Sequence, residues 1–232
     1  MKPLCVIPAR GGSKRLPRKN VLELAGRPML AWTVLAALES GVFDEVHVST
    51  EDEEIAAVAV ALGASVHERP PELAQDLSSS ADVCLDVAAR VLVGGEPAEA
   101  LVCLQPSSPL TLAADVRDAW ATFVEERADY LVSVTGIDPH YFHWAVEHGD
   151  EGWRPYFGDR YMRDRLELPQ VFRPNGAIKI AKVSELRTRG NFFGEPLSVH
   201  PMPEDRSVHV AEPLDARLAE LLLFDRIRGG TA

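Results

Sequence analysis

Cysteine is scarce in this chain: Cys5, Cys84 and Cys103 are its three thiols. They are too few and too scattered for a disulfide framework and show no paired metal-ligand spacing, so each reads as a small buried hydrophobe. Net positive charge is missing as well. The formal charge is -11, which excludes sequence-independent nucleic-acid binding, because that depends on excess Lys and Arg to neutralise phosphates. Long apolar runs are absent too, and none approaches the roughly 20 residues that cross a bilayer. Met1-Lys2-Pro3 leads straight into a short apolar stretch with no cleavage region of a signal peptide. The expectation is a cytoplasmic protein that binds neither membrane nor nucleic acid. No repeat or low-complexity tract interrupts the chain. At 232 residues, 46% of them hydrophobic, it has the balance of a globular protein with one sizeable core, and residues 1–232 are read as a single domain.

What the sequence does have is alternation. Leu4-Cys5-Val6-Ile7 is an apolar run that stops at Pro8 and a Gly-containing loop, as a fully buried parallel strand does. Helical spacing from Met29 to Ser40 closes at Gly41. The same rhythm predicts strands at 46–50, 65–67, 100–104, 130–134 and 177–180. Helices are predicted at 51–62, opened by Thr50 or Asp52, and at 82–92, 113–127 and 215–227. This is an α/β pattern, an open and mostly parallel doubly wound sheet covered on both faces, with ligands beyond the carboxyl ends of the strands. Residues 138–174 break the rhythm and are rich in aromatics and arginine, among them Tyr141, Trp144, Trp153, Tyr156 and Tyr161. Such a segment suits a lid or a protruding arm that packs on a second subunit, giving a homodimer.

The loop after the first strand carries the chemistry. Adjacent Gly11 and Gly12 let backbone N–H groups approach an anion, and Arg10, Lys14, Arg15, Arg18 and Lys19 supply cations for a triphosphate. The spacing matches neither GxxxxGK[ST] nor GxGxxG. On spacing alone a solvated basic turn competes with this reading.

The run Val6-Ile7-Pro8-Ala9-Arg10-Gly11-Gly12-Ser13-Lys14-Arg15-Leu16-Pro17-Arg18-Lys19-Asn20 resembles the opening signature of the acylneuraminate cytidylyltransferases, the CMP-sialic acid synthetase family with its pseudaminate and legionaminate relatives. Further blocks agree in order: Val48-Ser49-Thr50, Arg69-Pro70-Pro71-Glu72-Leu73, Ser78-Ser79-Ser80, Leu104-Gln105-Pro106-Ser107-Ser108-Pro109-Leu110 and Phe172-Arg173-Pro174-Asn175-Gly176-Ala177-Ile178. The resemblance covers about residues 4–225. It implies a fold like that of the nucleotide-diphospho-sugar transferases, and transfer of CMP from CTP to a nonulosonic, sialic-like acid with release of pyrophosphate. It also implies that Arg10, Gly11, Gly12, Ser13, Lys19 and Asn20 handle the nucleotide, with Arg10 and Lys19 as the catalytic cations. Lys19 would steady charge developing on the α-phosphate. Arg69 and Ser80 match positions that read cytosine; a surface ion pair and a helix N-cap are their plain structural alternatives. Gln105, Arg173 and Asn175 match sugar-contacting positions, and an arginine fork suits a carboxylate. Asn175-Gly176 by itself also reads as a hairpin turn.

The chain departs from the family in two places. Where the family carries an Asp-x-Asp that approaches Mg²⁺, this sequence has Ser207-Val208-His209-Val210-Ala211. Imidazole is a poor Mg²⁺ ligand and Ala211 is none. The expected Mg²⁺ is then held by phosphates and water, or by a changed acceptor, or catalysis is lost; the metal ligands are unassigned. His209 by default is a packed or solvated residue, and Asp215 most simply opens the final helix. Lys179 stands where the family commonly has an aromatic, which fits an acceptor with extra negative charge such as a phosphonate or a smaller 2-keto acid. Two other readings stay open: a non-catalytic CTP-binding subunit, and a nucleotide-sugar transferase of similar architecture.

Overall fold

The computed structural model describes residues 2–75 and 78–230; Met1, whose flank entered the reading above, lies outside them. Seven strands form one sheet: β1 Leu4–Pro8, β2 Val46–Thr50, β3 Ser65–Glu68, β4 Ala100–Leu104, β5 Tyr130–Ile137, β6 Val171–Lys182 and β7 Leu197–Pro201. Their order across the sheet is β7-β5-β6-β4-β1-β2-β3. Strand β6 runs antiparallel to β4 and β5, and the remaining neighbours pair in parallel. The mostly parallel α/β sheet expected from the alternation is what forms.

Strand periodicity divides the core. Cys5, Ile7, Val102 and Leu104 point to one face, where Leu30 and Val34 of α1 (Met29–Ser40), Ile55 and Ala59 of α2 (Glu53–Ala61), and Val116 and Phe123 of α4 (Ala113–Glu125) cover them. Leu4, Val6, Leu101 and Cys103 point to the other, under Cys84 and Val87 of α3 (Ser80–Ala88) and Leu186 of α6 (Val183–Arg189). Because both faces are covered, these strands are apolar throughout rather than alternating. The closing helix α7 (Pro213–Arg228) packs Ala216, Ala219 and Leu223 on a third cluster with Leu24, Met29 and Leu110.

Several boundaries differ from expectation for identifiable reasons. Helix α2 begins at Glu53 because Asp52 is its cap, accepting from the N–H groups of Glu54 and Ile55. Helix α3 begins at Ser80 because Ser79 caps it, and it stops at Ala88 because a hairpin follows at Leu92–Val93 and Glu96–Pro97, turned by Gly94 and Gly95 at φ 62° and 87°. Strand β6 starts well before residue 177. Its register on β5 shifts between Pro174 and Lys179, so no simple alternation announces it.

The segment at 138–174 holds the short helix α5 (Pro139–His143), a hairpin of Val146–Gly149 with Gly152–Pro155, and two 3-10 turns before β6 begins. Among the described residues no helix is long and apolar enough to cross a membrane.

Candidate active site

The loop that follows β1 lies across the carboxyl ends of the parallel strands. The Ala9 N–H donates to Ser49 O at 2.9 Å, which ties the start of the loop to β2. The Asn20 amide donates to Arg10 O at 2.8 Å. The Gly11 N–H donates to Glu51 Oε1 at 2.8 Å, and Arg18 bridges Asp52 and Glu54. The acidic start of α2 therefore clamps the loop from outside. Arg18 holds the Asp52 carboxyl below its usual range, with the Ile55 and Glu54 N–H groups adding to the effect. Gly11 is required sterically: a Cβ there would lie 2.5 Å from Asp52 Oδ2, whereas Gly12 has open space beside it.

Inside the loop is a polar cavity of about 490 Å³. Arg10, Gly12, Ser13, Lys19 and Asn20 line it from the loop, Arg69 from the turn after β3, Ser80 from the start of α3, and Gln105 from the turn after β4. Four segments far apart in sequence thus converge at one end of the sheet, where open α/β sheets bind ligands. Gly11 stands just outside this lining, against α2. Arg69 is 4% exposed and donates to Ser49 O at 2.7 Å and Ser49 Oγ at 3.3 Å. It is a buried wall residue, not the surface ion pair that its type allows. Ser80 is not the cap of α3, since Ser79 is. Lys19 reaches across to Val210 O at 3.1 Å, and burial, then the neighbouring Arg15 and Arg10, push its pKa down.

Ser107 also lines the cavity and had not been singled out as a site residue, though it sits in the block already noted after β4. Ala211, noted above as standing where the family carries a carboxylate, lines the cavity too. The Val210 N–H donates to Ser107 O at 2.7 Å, which lays the 207–211 segment along the pocket rim. His209 Nδ1 lies 3.3 Å from Ser107 Oγ. Although solvent reaches the ring, the surrounding walls and then the Lys19 charge push its pKa down to about 4, so at neutral pH it is an uncharged imidazole. Asp215 accepts from the Ala211 N–H at 2.9 Å and the Glu212 N–H at 2.8 Å, which is the helix-opening role expected of it.

The residues expected on the acceptor side are distributed differently. Asn175 is 3% exposed, and its amide is engaged on every side. Its Oδ1 accepts from Ser133 Oγ at 2.5 Å and from the Ala177 N–H at 3.1 Å, while Nδ2 donates to Ser207 Oγ at 2.9 Å. This network pins the irregular part of β6 to β5 and to the 207–211 segment. Asn175-Gly176 is accordingly neither a hairpin turn nor a cavity-lining pair, because a buried amide needs those partners. Arg173 is exposed on β6 opposite Thr135 and outside the cavity lining. Lys179 stands behind the wall, its ammonium donating to Ser80 Oγ at 3.2 Å. All three cysteines are buried, as expected of small hydrophobes, and Gln105 Nε2 lies 3.6 Å from Cys103 Sγ.

Among the described residues no aspartate or glutamate lines the cavity, and no group of three or more His, Cys, Asp or Glu side chains could hold a metal ion. The described residues do not fit a protein-held Mg²⁺.

A cytidylyltransferase family model matches residues 4–140 of the chain. The chain belongs to the cytidylyltransferase family. Within that family it is similar to the pseudaminic acid cytidylyltransferase of Campylobacter jejuni subsp. jejuni serotype O:2, at 37% identity over 228 residues, covering 96% of each chain. It is 35% identical over 214 residues to the N-acylneuraminate cytidylyltransferase of Streptococcus agalactiae serotype V; the match takes in 90% of this chain and 50% of that relative, so the chain spans about half its length. Among solved structures, CMP:2-keto-3-deoxy-manno-octonic acid synthetase complexed with CTP superposes with a TM-score of 0.75 at 19% identity, covering 97% of this chain and all of that one. That likeness is one of fold.

Proposed function

We propose that this cytidylyltransferase transfers CMP from CTP to an acidic sugar of the nonulosonic class. The anomeric hydroxyl of the acceptor attacks the α-phosphorus, a new O–P bond forms, the bond to the β-phosphate breaks and pyrophosphate leaves. The observation that carries this reading is a cavity lined by Arg10, Lys14, Arg15 and Lys19 and, among the described residues, by no carboxylate. Such a wall favours a polyanion and becomes more favourable as negative charge gathers on the transferring phosphate. In this reading Lys19 stands at the α-phosphate, and its pKa, lowered first by burial and then by the neighbouring Arg15 and Arg10, is restored by a bound triphosphate. Ser13 and Asn20 serve phosphate and ribose, Arg69 and Ser80 the base, and Gln105 and Arg173 the acceptor. A divalent ion bound there would have to draw its ligands from phosphate oxygens and water. Residues 138–174, with Tyr141 84%, Trp153 72% and Leu166 94% exposed, form the arm by which two copies pair.

The test is pyrophosphate release from CTP with a panel of nonulosonic acids, other 2-keto sugar acids and phosphonates. Release that depends on one acidic acceptor is expected; no release with any of them overturns the proposal. His209 and Ala211 favour a second reading, a nucleotide-binding subunit without chemistry. On that reading the chain binds CTP but is inert, and His209→Asp with Ala211→Asp restores turnover.

A further inference from the structure

Two cations of the cavity wall are hydrogen-bonded, among the described residues, only to neutral oxygens. Lys19 donates to a carbonyl, Val210 O at 3.1 Å, and the buried Arg69 donates to Ser49 O at 2.7 Å and Ser49 Oγ at 3.3 Å. The Lys19 pKa is pushed down first by burial and then by Arg15 and Arg10, with Asp215 acting against them. For Arg69, burial lowers the pKa and outweighs the opposing Glu51 charge. Both cations thus stand where positive charge is only partly balanced.

The carboxylates around this end of the sheet are engaged elsewhere. Glu51 Oε1 accepts the Gly11 N–H at 2.8 Å, and Asp52 and Glu54 pair with Arg18. Asp215 Oδ2 accepts the N–H groups of Ala211 and Glu212 at 2.9 and 2.8 Å. Each of them holds the frame, and none of the four lines the cavity. The rim residue that does line it on that side is Ala211, whose methyl offers no oxygen. His209, two residues before it, is an uncharged imidazole at neutral pH.

We infer that this site takes its nucleotide as the metal-free anion, so that Mg²⁺ competes with the protein for CTP and does not help it bind. The inference rests on the CTP reading above and concerns the form in which the nucleotide enters. Mg²⁺ cancels part of the negative charge of a triphosphate, and a cationic wall loses attraction for the complex accordingly. A carboxylate in the wall would reverse this by ligating the ion. Among the described residues the cavity lining has none.

Calorimetric titration of the purified chain with CTP, in EDTA and in excess Mg²⁺ at matched ionic strength, tests this without needing the acceptor. Wild type should bind CTP about tenfold more weakly in Mg²⁺ than in EDTA; equal or tighter binding in Mg²⁺ overturns the inference. Ala211→Asp sets a carboxylate on the cavity lining and should reverse the order, whereas Ala211→Asn, of the same size but uncharged, should keep it. A folded Ala211→Asp that keeps the wild-type order overturns the inference as well, because the missing carboxylate is then not the cause. If that variant does not fold, the wild-type comparison decides alone. Wild type that binds CTP in neither medium brings down the CMP-transfer proposal and this inference with it, a result separate from binding with the opposite metal order.

Discussion

At the scale of single residues, the two neighbouring glycines of the loop after β1 have different surroundings despite looking alike in sequence. Gly11 lies against Asp52, which is fixed by Arg18 and by capping α2. A methyl group there must displace either the loop or the cap. Gly11→Ala is expected to lower stability by roughly 1–2 kcal/mol and to weaken CTP binding about tenfold, whereas Gly12→Ala leaves the urea midpoint where it was. Equal midpoints for the two variants would show that the clamp does not constrain the loop. The same clamp divides the run of cations. Arg18 pairs with Asp52 and Glu54, while Arg10, Lys14, Arg15 and Lys19 line the cavity.

At the scale of elements, the 207–211 segment is placed by groups that the sequence does not advertise. Asp115 is 3% exposed, accepts the Leu112 N–H at the start of α4, and pairs with Arg206, whose Nη2 lies 2.9 Å from Asp115 Oδ1. Arg206 immediately precedes Ser207, which Asn175 grips from β6. Helix α4, strand β6 and the pocket rim are thereby tied at one corner. Asp115→Ala removes a cap and strands a half-buried guanidinium, so a loss of roughly 2 kcal/mol or more is expected in urea unfolding. It should also reduce CTP affinity, because Lys19 takes its bearing from Val210 O. A variant with unchanged stability would mean that the rim is held by Asn175 and Ser107 without this pair.

For the whole molecule, pH is the informative variable. His47, His67, His200 and His209 all have pKa values pushed below the ordinary imidazole value, in each case chiefly by burial. In the unfolded chain such groups take up protons as pH falls through about 6.5. Folded, they resist protonation until lower pH, His209 until about 4. The unfolded state then binds more protons, so stability should fall as pH drops from 6.5 toward 4. Urea midpoints at pH 7.5 and 5.5 check this, with the lower midpoint expected at 5.5; equal midpoints contradict it. The arm proposal belongs to this scale as well. Trp153→Glu and Leu166→Glu together should convert a dimer to a monomer in light scattering, and a wild-type monomer would refute the arm.

The order of strands β1 to β6 with helices α1 to α4 and α7, the buried character of both sheet faces and the cationic loop after β1 were legible in the sequence, whereas helices α5 and α6 and the edge strand β7 were not. They depend on local periodicity and on residue types at short range, such as Ile7 before Pro8 or Gly41 after Ser40. The sequence equally displayed the missing carboxylates at 209 and 211. Tertiary structure alone decided which polar residues face the cavity and which serve the frame. Asn175 and Lys179 sit on one strand and carried similar expectations, yet Asn175 is consumed in a buried network while Lys179 reaches the wall through Ser80. A side chain's partners are set by what the fold brings beside it from distant segments, and hydrogen bonds spent on those partners are not available to a ligand.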